Sequence, residues 1–314
     1  MADSRTLIAV ADDGGSGEAR DRGILETVDA GIVRNVSVIA NGASAASLAE
    51  ALRSRPEVSV LLHLNLTEGE ALGGSARSIT GPCPRFLGDK QAFWHRAHAG
   101  IVDPAEVGRE MAAQLARLRG LGLDPVGVNG HNHVHILPGV REGVARALAR
   151  EPRLRWVRVP AEPEPPAGTE VCVSEPAMPL PERALDPVAR RMLEGGHAAL
   201  ASVRVLAAAT VHGLPGRVRF SDTFLGFAFA CSGSGEVLVR ALREAPGKVV
   251  ELMVHPGRPD PAALTPFGRA PLREREREVL CSPGFADAVR EAGFEPRAVG
   301  DYLSRSSASG PSKV

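Results

Sequence analysis

Lysine is nearly missing from this chain of 314 residues: all but three of its 37 basic side chains are arginine. Asp and Glu also total 37, so the formal net charge is zero. No bulk field therefore draws the protein to nucleic acid or to an anionic membrane surface. Aromatic residues make up 4% of the chain, too few for an extended stacking groove along a long glycan. The four cysteines, Cys83, Cys172, Cys231 and Cys281, stand far apart with no C-x-x-C pair. That spacing excludes a disulfide framework and a thiolate zinc site. The N-terminal apolar run, Leu7 to Ala11, stops at two aspartates. It is too short for the core of a signal peptide or for a membrane span, so a cytoplasmic protein with no membrane insertion is expected.

What is present is the pattern of a large folded core. Hydrophobic residues reach 44% against 24% charged, and α/β barrels often use this length as one domain. Strands are expected over Thr6 to Ala11, Asn35 to Ala40, Val58 to Leu66, Leu154 to Val159, Val218 to Phe220 and Lys248 to Val254. Helices are expected over Glu18 to Ala30, Ala43 to Arg53, residues 104 to 122, residues 187 to 212, and Pro283 to Ala292. Asp103 caps the third of these, with Pro104 in its first turn and Glu106 completing an acidic capping-box variant. Gly69 to Gly100 has no clean period and reads as loop with short pieces. Eight prolines between Pro160 and Pro187 mark an irregular excursion, a lid or binding loop. The expected organisation is one domain over 1–303 that contains this 160–187 excursion, followed by a disordered tail over 304–314. Short apolar strands alternating with amphipathic helices indicate a parallel α/β fold.

The polar residues fall at telling places. Asp12 and Asp13, His131, Arg158, Asp222 and His255 lie near the carboxyl ends of inferred strands, and His63 falls late in its own. In α/β barrels that end of the sheet carries the active site. Three of the nine histidines, His131, His133 and His135, stand at spacing i, i+2, i+4, which in an extended strand puts all three imidazoles on one face. Two such imidazoles with a carboxylate from elsewhere make an open three-ligand metal site.

These segments resemble a known family. Ala-Asp-Asp-Gly-Gly at 11–15, Leu-His-Leu-Asn-Leu-Thr-Glu-Gly at 62–69, His-Asn-His-Val-His at 131–135, Val-Arg-Val-Pro at 157–160 and Met-Val-His-Pro-Gly at 253–257 look like the successive motifs of the YdjC/ChbG-like carbohydrate deacetylases. Glu110 and Gln114, and the Arg-Glu-Arg-Glu-Val-Leu-Cys-Ser segment at 275–282, sit where that family has similar segments. The chain departs from the family at Gly14, where Phe is usual, and in the Pro-rich excursion, both places where a substrate is sensed.

The resemblance implies an irregular (β/α) barrel with a metal site at the carboxyl ends of its strands. It also implies one divalent ion, zinc or magnesium, and removal of an N-acetyl group from a small or conjugated amino sugar. Asp13, His63 and His131 would be the metal ligands. Asp12 would be the general base on the metal-bound water, although the two aspartates can exchange these roles. His255 would be the acid that protonates the departing amine, and would have to be charged in the working state. His133, His135, Arg158 and Asp222 would contact the substrate or orient the groups that do. A non-catalytic sugar-binding protein on the same scaffold and a metal-dependent phosphoesterase are the rivals. The second should want a second metal or an Arg/Lys clamp. Assembly is left open, a symmetric homodimer being the commonest arrangement.

Overall fold

The computed structural model describes residues 4–164, 196–227, 234–260 and 271–308. Among the described residues eight parallel strands curl into an irregular (β/α) barrel, an α/β fold built as a single domain. In chain order the elements are β1 (Arg5–Gly14), α1 (Glu18–Asp29), β2 (Asn35–Val38), α2 (Ala45–Arg53), β3 (Ser59–Leu64), α3 (Lys90–His98), α4 (Pro104–Gly120), β4 (Gly127–Gly130), α5 (Val140–Arg150) and β5 (Trp156–Val157). There follow α6 (Gly196–Val211), β6 (Thr223–Leu225), α7 (Gly235–Glu244), β7 (Val249–Val254), α8 (Leu272–Cys281), α9 (Pro283–Glu291), β8 (Phe294–Pro296) and α10 (Val299–Ala308). The strand order is β5-β4-β3-β2-β1-β7-β6, with β8 also paired to β1. Strand β1 holds the centre. Thr6 to Ala11 pair with β7 along one edge, while β8 meets residues 5–7 and β2 meets residues 10–14. A parallel bridge between Trp156 and Arg219 joins β5 to the segment that enters β6 and draws the two ends of the sheet together.

The period of two in each strand divides the core. Leu7, Ala9 and Ala11 face the main apolar layer shared with the helices, whereas Ile8 and Val10 join Leu61, Trp156, Val249, Val299 and Leu303 in a second cluster. That second cluster fills the barrel interior from its amino end. Helix α10 plugs it, with the backbone N–H of Val299 donating to Asn35 and that of Gly300 to Ser59, the first residues of β2 and β3. Continuing each inward row by two residues gives Asp12 after Val10, His63 after Leu61, Arg158 after Trp156 and Glu251 after Val249. The inner face thus changes from apolar to polar toward the carboxyl end.

Several expectations need correction. The histidines 131–135 do not occupy a strand: β4 ends at Gly130, and His131–Ile136 form a 3-10 turn with Asn132 and His133 in the left-handed region. Gly130 permits that reversal, because a Cβ there would stand 2.7 Å from Nδ1 of His135. The expected strand at Val218 to Phe220 makes only the single bridge at Arg219. The regular strand begins after Asp222, at Thr223. Asp103 does cap α4, its carboxylate accepting from Ala105 N, but Glu106 does not close a capping box. Its carboxylate accepts instead from the backbone N–H and hydroxyl of Ser78. The stretch 69–100, read as loop with short pieces, agrees with its reading: one such piece is α3, capped by Asp89. Helix α10 runs to Ala308, so the first five residues of the expected disordered tail are helical. Most of the Pro-rich excursion, and the start of the helix expected from 187, lie outside the described residues.

Candidate metal centre and active site

Consecutive strand residues ordinarily point to opposite faces, yet both Asp12 and Asp13 serve this end of the barrel. The β1–β2 register shifts between Ala11 and Gly14, and Asp13 takes φ 63°. A bulge of this kind adds a residue to one strand and re-aims its side chains, and bulges are common beside active sites. Asp13 also lies in the sparsely populated left-handed region that marks constrained sites.

Asp12 is 2% exposed and fully engaged by the protein. Its Oδ1 accepts from Nη2 of Arg158 at 3.0 Å and from Nδ2 of Asn129 at 3.0 Å, and its Oδ2 accepts from Nη1 of Arg158. Nε of Arg158 donates to Glu251 at 2.6 Å, and Nε1 of Trp156 donates to the other Glu251 oxygen at 3.1 Å. Burial pushes the Asp12 carboxyl up, but the charges of Arg158 and His63 outweigh it and hold the group at about 2. The same polar layer fixes His63. Because Asn129 gives its N–H to Asp12, its Oδ1 faces Nδ1 of His63 at 2.7 Å and accepts from it. The ring's other nitrogen, Nε2, is therefore the one turned to Asp13.

Asp13 divides its oxygens. Oδ2 accepts from Nη2 of the buried Arg273 at 2.7 Å. Oδ1 stands 3.2 Å from Nε2 of His63 and 2.8 Å from Nδ1 of His131. Burial opposes charge on both partners. The attraction between them wins, holding Asp13 well below the usual carboxylate range and, with help from Glu68, raising His131 to about 9. Among the described residues Asp13, His63 and His131 are the group able to hold a metal ion. One carboxylate oxygen and two imidazole nitrogens suit a divalent ion and leave positions open.

The remaining expected residues separate. His133 stacks edge-on to Phe227 with ring centroids 5.0 Å apart and lies 6.3 Å from Phe224, forming an apolar wall. His135 is buried, and its Nε2–H donates to the carbonyl of Arg158 at 3.0 Å. Burial and the Arg158 charge hold it to about 3, so it buttresses Arg158 as a neutral ring. His255 follows β7, and its backbone N–H donates to the buried Glu276 at 2.5 Å. Burial holds its ring to about 4 against the pull of Asp13 and Asp12, so at neutral pH it is not the standing imidazolium expected of an acid. Asp222 is elsewhere. Its carboxylate accepts from the N–H groups of Lys248 and Val249, at the amino end of β7 and so at the far end of the sheet from Asp13. Glu110 and Gln114 hold a loop rather than line the site. Glu110 accepts from Leu72 and Gly73, while Gln114 bonds both backbone groups of Asn65.

Three partners escaped the reading of the sequence, Asn129, Glu251 and Arg273, while Glu276 stood in the 275–282 segment noted for the resemblance without a role of its own. A carboxylate inside the apolar run of β7 was a signal, because a buried charge must be paired. Arg273 and Glu276 gave a fainter one. They sit three apart on one face of α8, within an alternating Arg/Glu run that reads as a solvated surface.

A family model described as YdjC-like protein matches residues 6–291. The carbohydrate deacetylase of Mus musculus is 34% identical, over 95% of this chain and 95% of its own. That of Homo sapiens is 33% identical over 95% and 91%. A chitooligosaccharide deacetylase of Klebsiella pneumoniae is 34% identical over 47% of this chain and 56% of its own length. A crystal structure of an Enterococcus faecalis V583 protein, 20% identical, superposes with a TM-score of 0.66 over 96% of this chain and 99% of that one, a likeness of fold. Among the described residues no helix is long and apolar enough to cross a membrane.

Proposed function

This chain belongs to the YdjC-like protein family, and from that premise we propose that it is a divalent-metal-dependent hydrolase that removes the N-acetyl group of a small or conjugated amino sugar. The observation that carries the reading is the meeting of Asp13, His63 and His131, from β1, β3 and the turn after β4, within one ligand sphere at the carboxyl end of the barrel. Relatives alike over nearly their whole length are carbohydrate deacetylases.

The reaction forms a C–O bond from water to the acetyl carbon and breaks the C–N bond. The water must lose a proton and the leaving amine must gain one. A bound zinc or magnesium ion supplies Lewis acidity for the acetyl carbonyl and the attacking water. Asp12 takes the proton of the attacking water. Arg158 and Asn129 fix its carboxylate in one orientation and keep it ionised, so that it enters the step as an acceptor. His255 enters the cycle neutral, receives from Asp12 the proton taken from the water and gives it to the amine nitrogen. His133 with Phe224 and Phe227 forms an apolar wall suited to the acetyl methyl.

The test is acetate release from a panel of N-acetylated amino sugars by metal-stripped protein, with and without added zinc or magnesium, and with Asp12→Asn alongside. Metal-dependent release that disappears in the variant supports the reading. No release from any sugar, with one divalent ion bound per chain, overturns it in favour of a sugar-binding protein that has kept its metal.

A further inference from the structure

His63 and His131 are wired differently. His63 gives Nδ1 to Asn129 and turns Nε2 to the cluster; His131 turns Nδ1 to Asp13 at 2.8 Å and places Nε2 3.3 Å from Oε1 of Glu68, across the ring. An ionised carboxylate only accepts, so in the metal-free ring both contacts carry a proton; a metal held with Asp13 would take the place of the Nδ1 proton, while Glu68 keeps the one on Nε2. An imidazole with its proton fixed on one nitrogen ligates through the other.

Glu68 is built into this position. Its backbone N–H donates to Asn65 Oδ1 at 3.1 Å, and its carbonyl accepts from Asn65 Nδ2 at 2.8 Å and Asn41 Nδ2 at 3.1 Å. Asn132 Nδ2 donates to the hydroxyl of Thr67 at 3.1 Å. The pair 67–68 and the pair 131–132 are therefore tied twice, and the strained turn that carries His131 is held against the loop that carries Glu68.

We propose that Glu68 is a positioning residue for the metal centre: it fixes the proton of His131 on Nε2, so that His131 ligates through Nδ1 while His63 ligates through Nε2. The inference rests on the metal-centre reading above and not on the identity of the substrate. Partners of this kind are worth roughly 10- to 100-fold in metal affinity.

The test titrates zinc into metal-stripped full-length protein by competition with a chromophoric chelator, for the unsubstituted chain, Glu68→Ala and Glu68→Gln. Circular dichroism checks that each variant is folded. Glu68→Ala should weaken zinc binding by roughly 10- to 100-fold, and Glu68→Gln by less, because its amide oxygen still accepts the Nε2–H. Nitrogen-15 spectra of the zinc-loaded protein should show His131 protonated at Nε2 and His63 at Nδ1. Zinc on Nε2 of His131, or equal affinity in a folded Glu68→Ala variant, overturns the assignment while leaving the metal centre standing. Failure of the unsubstituted chain to take up zinc or magnesium removes the metal centre and this assignment together.

Discussion

Asp12 and Asp13 are neighbours in the chain and occupy different surroundings. Asp12 closes a buried stack of Trp156, Glu251 and Arg158, in which every oxygen of both carboxylates has a protein donor. Asp13 gives one oxygen to Arg273 and leaves the other among two imidazoles. The difference separates a carboxylate whose two oxygens are both taken by protein donors from one with an oxygen left among the candidate ligands. The proposed order of the roles that the sequence left exchangeable, Asp13 on the metal and Asp12 as base, rests on this contrast.

The strongest way to break the contrast is Asp13→Ala. It should lose metal uptake and acetate release together, with the fold followed by circular dichroism. An active, metal-loaded Asp13→Ala protein would sink the ligand assignment. His255→Ala should separate what Asp13→Ala joins: zinc uptake unchanged and kcat lower by roughly 10²- to 10⁴-fold, the usual worth of a general acid or base. Loss of zinc with loss of turnover would place His255 on the metal instead.

Arg158→Met attacks the other half of the comparison. It leaves Asp12 and Glu251 buried and close together without their cation, a change that costs about 3–5 kcal/mol in comparable buried pairs. Urea unfolding of the metal-stripped protein measures it, and a loss under about 1 kcal/mol would mean that water or a proton replaces the guanidinium. The Asp13 half should survive better, because none of its candidate ligands bonds to Arg158 directly.

Much of this architecture was legible beforehand. Apolar runs located most of the strands, and the polar residues ending them located the end where the candidate ligands meet. The candidate metal set needs only one residue from each of three strand ends. The parity of two then predicts an inner layer, since Asp12, His63 and Arg158 continue rows that begin with Val10, Leu61 and Trp156. The His131 to His135 spacing misled for a physical reason. Alternation identifies a shared face only while the chain stays extended, and the reversal at Gly130 sends the three rings to a carboxylate, an aromatic wall and a carbonyl. Asp222 misled because a short strand can begin after a polar residue as easily as end before one. Arg273 was hidden by its context, since nothing local distinguishes a helix arginine that reaches inward from its solvated neighbours.

A third buried aspartate sharpens the comparison further. Asp21, 5% exposed, accepts from the N–H of Gly15 and the hydroxyl of Ser44, and among the described residues binds no guanidinium directly. Burial therefore prevails over those two bonds and the more distant Arg20, raising the carboxyl from 3.8 to about 6. Asp12, equally buried but gripped by Arg158, moves the other way. The sign for stability follows from proton uptake. The folded state holds the Asp21 proton more tightly than the unfolded state, so this contribution is fully present below about pH 4 and is lost as pH rises through about 6. A shift of about two units corresponds to about 3 kcal/mol at most. Asp21→Asn keeps an oxygen for Gly15 and an amide that can donate to the Ser44 oxygen, and it cannot ionise. It should be more stable than the unsubstituted protein at pH 7 by up to about 3 kcal/mol, with the advantage gone by about pH 4. Urea titrations at the two pH values decide it. A variant equally stable, or less stable, at pH 7 would mean that the two hydrogen bonds stabilise the ionised form as well as an arginine does, and that a guanidinium is not what sets Asp12 apart.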